Sequence, residues 1–332
     1  MDHSMTSRTQ LIGISNAIVD ILAHVDEDFL TDIGAPPGSM TLIDAEQAHE
    51  LYSKMGPATE MSGGSVANTI AGFANLGGRA AYIGRVADDQ FGEIFVHDMR
   101  SLGVDVRTAP SGDGAPTARS HVLITDDGQR TMQTYLGACT ELSVTDVTAD
   151  TVGDSEVFLL EGYVWDIPEG PALADAAFAL GRQSGAKLAM SLSDSFCVER
   201  HRDEYMKAIR DDVDIVFADE DEIIALFDVS DFDSVLPKLD GMDNLFVMTR
   251  SAKGSVIVHG DTTITQSAIP VKKVLDTTGA GDAYTAAFLY GYTQGRSLDE
   301  CAKLGTWCGA QVIQQLGARL EKDVLADYPF DV

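Results

Sequence analysis

The run from Asp276 to Asp282 reads DTTGAGD and carries the residue types that phosphate chemistry needs. Its two glycines let the backbone pass close to a ligand, and the apolar stretch over residues 283–292 predicts that a helix begins here. A helix N-terminus offers unpaired N–H groups and the positive end of a dipole, which favour an anion. Asp282 at that end can accept a proton from a hydroxyl group, so the run suits phosphoryl transfer. The alternative is that Asp282 only caps the helix.

A second glycine-rich run, GGSVAN over residues 63–68, precedes another helical pattern. Gly63 and Gly64 permit close approach of the backbone to a ligand, and Asn68, one helical turn further, can project its amide toward that ligand. We predict a helix over residues 65–76 that ends at Gly77. On its own, this run is more typical of a tight turn followed by a surface asparagine.

Short apolar runs and helical patterns alternate along most of the chain, which is typical of a mainly parallel sheet covered on both faces. After an opening strand over residues 10–15, the pattern predicts a strand at 80–86 and a helix at 89–102. Further predicted strands lie at 157–160, 188–191, 215–218, 245–249 and 255–259, and further helices at 170–184, 200–210 and 220–227. The fold class is therefore α/β.

Residues 115–137 form a different pattern, with two alternating runs joined by a DDG turn, and we predict a β-hairpin there. No internal repeat, low-complexity tract or linker divides the sequence. We therefore expect one domain over residues 1–332 with an early β-rich elaboration.

Composition excludes several classes of partner. The chain has 332 residues, 52 of them acidic and 23 basic, for a net charge of −29. Such a surface repels phosphate backbones and anionic lipid, so we expect neither nucleic acid nor membrane partners. No apolar stretch approaches the ~20 residues of a membrane span. The scattered cysteines predict buried free thiols in a reducing cytoplasm, with neither a disulfide framework nor a structural zinc site: Cys139, Cys197, Cys301 and Cys308.

Together, the two glycine-rich runs resemble the paired signatures of the PfkB, or ribokinase-like, family of carbohydrate and nucleoside kinases. The resemblance covers nearly the whole chain, and the DTTGAGD run is its more specific part. Neither a P-loop nor a dinucleotide-binding fingerprint occurs in the sequence. The resemblance implies a three-layer α/β/α sandwich with a mainly parallel central sheet. It also implies a small β-sheet lid over the substrate, built from residues of about 16–45 and 115–137.

The resemblance also implies roles for particular residues. Asp282 would be the general base, with the amides of Gly279, Ala280 and Gly281 forming an anion hole. Asp20 would accept hydrogen bonds from vicinal sugar hydroxyls, which a carboxylate suits; the alternative is a turn cap. Other implied substrate residues are Asn16, Gly63, Gly64, Asn68 and Tyr135, although Tyr135 is equally typical of a core tyrosine. The implied ATP residues are Thr249, Gly254, Thr278 and Gly281, and the implied metal ligands are Asp219 and Glu222.

Two departures from the family pattern affect the nucleotide side. Asp219 stands where the magnesium-associated Asn-x-x-Glu element has Asn, although Glu222 keeps the place of its Glu. The acidic run is also typical of a helix start. Ser251 replaces the first glycine of a Thr-x-Gly-x-x-Gly turn that begins at Thr249, which leaves its backbone path open. Arg250 in this turn either contacts phosphate or stays solvated.

The predicted activity is ATP-dependent transfer of a phosphoryl group to the primary hydroxyl of a nucleoside or sugar, with Mg²⁺ and, as a further candidate, K⁺. The resemblance favours adenosine as the acceptor. The alternatives are a sugar kinase for ribose, fructose or 2-keto-3-deoxygluconate, and a ligand-binding relative without turnover. An acidic sugar would require Arg119 or Arg130 of the hairpin to face the pocket. Exposed lid strands also suggest a homodimer formed through the lid.

Overall fold

The computed structural model describes residues 8–126 and 128–329. Two sheets and a set of helices make up this part of the chain. The strands are β1 (Thr9–Ile14), β2 (Ile18–His24), β3 (Met40–Leu42), β4 (Thr59–Gly63), β5 (Ala80–Ile83), β6 (Asp105–Val106), β7 (Ala118–Ile124), β8 (Arg130–Tyr135), β9 (Ser155–Glu161), β10 (Lys187–Ser191), β11 (Ile215–Asp219), β12 (Leu245–Thr249), β13 (Ser255–His259) and β14 (Thr262–Gln266). The helices are α1 (Glu27–Asp32), α2 (Ala45–Lys54), α3 (Ser65–Asn75), α4 (Gln90–Ser101), α5 (Ala149–Val152), α6 (Gly170–Gln183), α7 (Ser195–Arg200), α8 (Arg202–Asp211), α9 (Glu220–Phe227), α10 (Ala280–Thr293) and α11 (Leu298–Val312).

The large sheet has the strand order β6-β5-β1-β9-β10-β11-β12-β13-β14. Its strands are parallel from β6 to β12, while β13 and β14 are antiparallel to their neighbours. In the centre, Val216 of β11 lies opposite Met190 of β10 and Phe246 of β12. The predicted mainly parallel sheet is confirmed, and the strands and helices predicted from periodicity match to within a few residues.

Helices cover both faces of this sheet, because successive strand residues point to opposite sides. Ile12 and Phe158 belong to one hydrophobic core, which contains residues of α6, α7, α8 and α9. Their strand neighbours Leu11 and Val157 belong to the other core, with residues of α3, α4, α10 and α11. The structure is therefore the expected three-layer α/β/α sandwich.

The small sheet has the strand order β3-β8-β7-β2-β4 and contains the predicted hairpin. In that hairpin, Val122 of β7 lies opposite Met132 of β8 in antiparallel register. Strand β4 is an addition to the ranges expected for this sheet. Its sequence, TEMSG, is polar and ends in glycine, so it has none of the apolar alternation that identifies a strand.

Two expectations from composition concern the rest of the chain. All four cysteines are buried and unpaired. Among the described residues, no helix is both long enough and apolar enough to cross a membrane.

Candidate active site

The loops that follow the parallel strands converge at one edge of the large sheet, where ligands gather in α/β folds. Glu161 ends β9 and Asp219 ends β11, while Thr249 ends β12. The N-termini of α3 and α10 reach the same region, because Ser65 of α3 and Asp282 of α10 line the same cavities. The sheet thus brings together segments that lie far apart in the sequence.

The turn before α10 places Asp282 in the first helical turn. Gly279 precedes the helix with a φ of 76°, and a Cβ atom there would lie 2.5 Å from that of Ala318, so only glycine fits. The first intrahelical bond runs from the N–H of Ala283 to the carbonyl of Gly279, at 2.8 Å. The amides of Gly281 and Asp282 therefore have no acceptor within the helix, whereas that of Ala280 lies 3.3 Å from the carbonyl of Thr277.

The carboxylate of Asp282 joins the two glycine-rich runs. Ser65 donates its hydroxyl to one carboxylate oxygen at 2.7 Å, and the amide of Asn68 donates to the other at 3.0 Å. Burial raises the pKa of Asp282 to about 6, while these two hydrogen bonds and the charge of Arg319 act in the opposite direction. At neutral pH the group is an oriented carboxylate with a pKa suited to a general base.

One cavity beside Asp282, which we name the Thr249 cavity, has a volume of about 150 Å³. Its wall comes mainly from the ends of the parallel strands and includes the apolar residues Phe217, Ala218 and Val247. Its lining also includes the residues that could bind a ligand: Ser65, Ser193, Asp219, Glu222, Thr249, Gly281 and Asp282.

Asp219 and Glu222 cap the start of α9 and also face this cavity. The Asp219 carboxylate accepts from the N–H of Glu222 at 2.8 Å, and the Glu222 carboxylate accepts from the N–H of Asp219 at 2.8 Å. Burial, and next the charge of Asp219, raise the pKa of Glu222 to about 8. Two carboxylates that face one cavity, the charge of one disfavouring that of the other, fit a hard cation such as Mg²⁺. Glu220 instead pairs with Arg250 and Lys253.

The turn after β12 keeps its glycine-type backbone despite the serine. Ser251 has a φ of 48°, in the left-handed region that favours glycine. Gly254 has a φ of 92°, and a Cβ atom there would lie 1.9 Å from the carbonyl oxygen of Gln266. Arg250 is neither solvated nor aimed at the cavity, because it pairs with Glu220 and stacks 3.8 Å from the ring centre of Phe232.

The second cavity, which we name the Asp20 cavity, has a volume of about 260 Å³ and lies against the small sheet. It shares Ser65 and Asp282 with the Thr249 cavity. One part of its wall is polar, with Asp20, Asn68, Ser120, Arg130, Thr134 and Thr278, and the other part is apolar, with Ile18, Leu22, Met61, Val122 and Met132.

Two glycines shape the polar part of this cavity. A Cβ atom on Gly63 would lie 2.3 Å from the carboxylate of Asp20, and one on Gly64, where φ is 97°, would lie 2.5 Å from the carbonyl of Asn16. Burial raises the pKa of Asp20 to about 6, against the charges of Arg319 and Arg130. The side-chain oxygen of Asn68 is buried and has no hydrogen-bond partner among the described residues, so it can accept a hydrogen bond from a ligand.

Sequence comparison assigns this architecture to a family. The profile of the pfkB family carbohydrate kinases matches residues 38–324, which is most of the chain. The chain belongs to the PfkB family of kinases. It is therefore a phosphotransferase, and the expected ribokinase-like fold is confirmed.

Individual relatives of this PfkB kinase include both nucleoside and sugar kinases. An adenosine kinase from Sinorhizobium meliloti superimposes with a TM-score of 0.88 at 49% identity, over 96% of this chain and 99% of that one. A probable sugar kinase from Rhizobium etli gives a TM-score of 0.86 at 48% identity, over 94% and 95%. Adenosine kinase 2 of Arabidopsis thaliana is 26% identical over 92% of this chain and 94% of its own length.

Several residues predicted from the PfkB resemblance do not line the cavity expected for them. Those that line neither cavity are Asn16, Gly63, Tyr135, Gly254, Gly279 and Ala280. Tyr135 lines neither cavity, because side chains of β8 alternate and it lies on the face opposite to Arg130, Met132 and Thr134. It contacts Arg119 instead, which favours a structural role. Thr278, expected to bind ATP, lines the Asp20 cavity. Asn16 is 6% exposed, and its backbone N–H donates to Glu161 at 2.8 Å.

Two further residues of the site were not predicted from the sequence. Glu161 is 1% exposed and accepts from the N–H groups of Asn16 and Val66, at 2.8 and 3.1 Å. It therefore fixes the loop before β2 and the start of α3. Burial raises its pKa to about 7. Its position at the end of a predicted strand was the only signal.

Arg319 is the second missed residue, and nothing in its sequence surroundings indicates a role. Its guanidinium donates to the carbonyl oxygens of Ser62 and Ala67 at 2.6 and 2.9 Å. Its charge lowers the pKa of both Asp20 and Asp282 against the effect of burial. Arg319 therefore supports the ionised form of both carboxylates.

Proposed function

We propose that this kinase transfers the γ-phosphoryl group of ATP to the primary hydroxyl of a nucleoside, with adenosine as the favoured acceptor. The observation that carries the proposal is the position of Asp282, whose carboxylate borders both cavities. A group in that place can take a proton from a hydroxyl in the Asp20 cavity while a phosphoryl group approaches from the Thr249 cavity.

The walls of the Asp20 cavity support a nucleoside rather than a free sugar. Asp20 can accept from two neighbouring hydroxyls of a ribose, and the unpartnered oxygen of Asn68 can accept from a further hydroxyl. The apolar residues Leu22, Met61 and Met132 offer surface to a flat base. A free sugar would leave that apolar surface exposed to water, at a cost in binding free energy.

The Thr249 cavity is the proposed site of the ATP phosphates. The amides of Gly281 and Asp282 can donate to the transferred group at the positive end of α10, and Thr249 and Gly254 would flank the nucleotide. Asp219 and Glu222 would hold Mg²⁺, which when bound neutralises phosphate charge. A requirement for K⁺ remains a prediction that assays with and without K⁺ will test.

Asp282 would act as the general base of the transfer. Ser65 and Asn68 hold its carboxylate in one orientation, and the acceptor hydroxyl would lose its proton to it as the bond to phosphorus forms. The small sheet would serve as a lid that keeps water from the phosphoryl group.

Specific observations weigh against two alternatives, an acidic sugar substrate and a relative without turnover. Arg130 lines the Asp20 cavity, as an acidic sugar substrate would require, but it pairs with Asp276 and donates to Thr278 at 2.9 Å. This engagement favours the neutral nucleoside. A relative without turnover is disfavoured because Asp282 and its two donors are all in place.

The remaining predictions concern assembly and location. Strand β3 is an edge of the small sheet, and its Met40 and Leu42 are 57% and 58% exposed. A homodimer that pairs these edges through the lid stays a prediction, as does a cytoplasmic location.

Replacement of Asp282 tests the proposal. With adenosine, ATP and Mg²⁺, we expect Asp282→Asn to reduce ADP release by roughly 100-fold to 10,000-fold, because general bases contribute about that much. Adenosine binding measured by calorimetry should persist. In the wild type, kcat/KM should rise with pH through about pH 6, where Asp282 loses its proton. Wild-type turnover by the variant would contradict the assignment.

A further inference from the structure

A group of metal-ligating side chains lies outside both cavities. Among residues 8–126 and 128–329, Asp166, Cys197 and His201 each bring a ligand atom within 4.8 Å of the other two. Asp166 ends a short 3₁₀ turn, Gly162–Asp166, that follows β9. Cys197 belongs to α7, and His201 is the residue that ends this helix. The three ligands thus connect two consecutive loops at the carboxyl edge of the large sheet.

The three side chains of this group differ in their exposure to solvent. Cys197 and His201 are four residues apart, so they lie on the same face of the helix. The His201 imidazole Nε2 lies 2.7 Å from a carboxylate oxygen of Asp166. The side chains of His201 and Asp166 are 19% and 31% exposed, whereas Cys197 is fully buried. An ion can therefore enter from solvent and meet sulfur at the bottom of the site.

We propose that Asp166, Cys197 and His201 bind one zinc-type divalent cation. A thiolate, an imidazole and a carboxylate are the three ligand types of zinc sites, and water can complete a tetrahedral shell. Sulfur binds the metal as a thiolate, so binding releases the thiol proton of Cys197 to the buffer as the sulfur–metal bond forms. Mg²⁺ prefers an all-oxygen shell and should ignore this site, unlike the one proposed at Asp219 and Glu222.

Arg200 is the internal competitor for this site. Its guanidinium pairs with the carboxylate of Asp166, and the side chain of Arg200 is 52% exposed. The pair is bidentate, with the Nε of Arg200 3.1 Å from one carboxylate oxygen and Nη2 on the other, so a divalent cation must compete with the guanidinium for Asp166. Removal of the guanidinium should therefore strengthen metal binding.

The proposed metal site lies on loops that also border the two cavities. The same 3₁₀ turn carries Tyr163, which lines the Asp20 cavity. The N–H of Gly162 donates to the hydroxyl of Ser193 at 2.9 Å, and Ser193 lines the Thr249 cavity. A metal that joins Asp166 to α7 would restrain the two loops that border these cavities. It should also raise thermal stability, because it binds only the folded chain.

Co²⁺ titration of the full-length, metal-free protein tests this proposal, because thiolate ligation gives Co²⁺ a characteristic absorption. We expect one equivalent to produce that band, Zn²⁺ to remove it, and a hundredfold excess of Mg²⁺ to leave it unchanged. Cys197→Ser and His201→Ala should each weaken binding at least tenfold, whereas Arg200→Gln should strengthen it severalfold. Cys308→Ser, at a buried cysteine of α11, is the matched control and should bind normally.

The proposal is overturned if the wild type gives no thiolate band, or if the band persists in Cys197→Ser. His201→Ala keeps it testable should Cys197→Ser fail to fold, because His201 lies at the end of a helix and near the surface. Equal affinity of wild type and Arg200→Gln would contradict the competition with Arg200. Phosphoryl transfer with Mg²⁺ does not enter these measurements, so they stand apart from the proposed function.

Discussion

The two cavities that meet at Asp282 are built by different parts of the molecule. The Thr249 cavity draws its wall mainly from the ends of β10, β11 and β12 of the large sheet and from the starts of α3, α9 and α10. The Asp20 cavity takes much of its wall from β2, β4, β7 and β8 of the small sheet. Both walls combine polar and apolar residues, but three carboxylates line the first cavity, Asp219, Glu222 and Asp282, whereas Arg130 lines the second together with Asp20 and Asp282.

This difference suggests that nucleotide binding and acceptor selection depend on different sheets of the kinase. In the proposed assignment, the backbone amides, helix end and carboxylates of the Thr249 cavity bind features that all nucleoside triphosphates share, and these groups lie mainly at the edge of the large sheet. Side chains that alternate along the strands of the small sheet set the shape and polarity of the Asp20 cavity, where we propose that the acceptor binds. We therefore expect changes in the Asp20 cavity to alter acceptor use while leaving ATP binding intact.

Among changes that should affect acceptor use but not ATP binding, Asp20→Asn should have the largest effect. In the proposed binding mode the charged carboxylate of Asp20 accepts two hydroxyl hydrogen bonds, each contributing about 1.5–3 kcal/mol, whereas the Asn side chain offers only one uncharged acceptor oxygen. We expect kcat/KM for adenosine to fall about 100-fold or more, with the Kd for ATP unchanged in calorimetry. Asp32→Asn, at an exposed aspartate of α1, is the control. Equal losses of acceptor and ATP binding would break the proposed division between the cavities.

A smaller effect should come from Glu161→Gln. This change tests the buried carboxyl that holds the loop before β2 and the start of α3. The pKa of Glu161 in the folded chain, about 7, exceeds its ordinary value of 4.5. The folded state therefore keeps a proton that the unfolded state has lost, so this group's contribution to stability falls as pH rises from about 4.5 to 7. The free energy of unfolding, measured with urea at pH 5, 6 and 7, should decline with pH less steeply in the variant than in the wild type. The two slopes should differ by at most about 1.4 kcal/mol per pH unit.

Glu156→Gln is the matched control for this measurement. Glu156 lies on the same strand, β9, and its side chain is 33% exposed. The control should keep the wild-type slope. If Glu161→Gln also keeps that slope, the buried carboxyl does not hold its proton in the folded state.

The smallest effect should come from Ser251→Gly on the Thr249 side. The left-handed conformation costs a non-glycine residue roughly 1–2 kcal/mol, although glycine adds entropy to the unfolded chain. We expect a net gain of up to about 1 kcal/mol in unfolding free energy, without change in acceptor kcat/KM. Asp228→Gly, at a φ of 51°, should gain less, because aspartate tolerates this region better. A destabilised Ser251→Gly variant would show that the serine side chain contributes contacts of its own.

The sequence was sufficient for features that depend on local spacing. The parallel strands, the helix starts and the position of Asp282 follow from periodicity and from two short runs, and Gly63 and Gly254 lie where a Cβ atom would clash. The roles of Glu161 and Arg319 were not predictable, because their partners are distant in the chain. The face of β8 was also undetermined: alternation separates Arg130 from Tyr135, but it does not say which of them faces the ligand.

The most direct test of the central claim is the ratio of kcat/KM for adenosine to that for ribose, measured by ADP release with Mg²⁺. Fructose, 2-keto-3-deoxygluconate, inosine and guanosine complete the series, each with and without K⁺. Burial of a base against the apolar wall is worth roughly 3 kcal/mol at about 25 cal/mol per Å², so we predict that adenosine exceeds ribose by about 100-fold. Robust turnover of a sugar with none of adenosine would contradict the account.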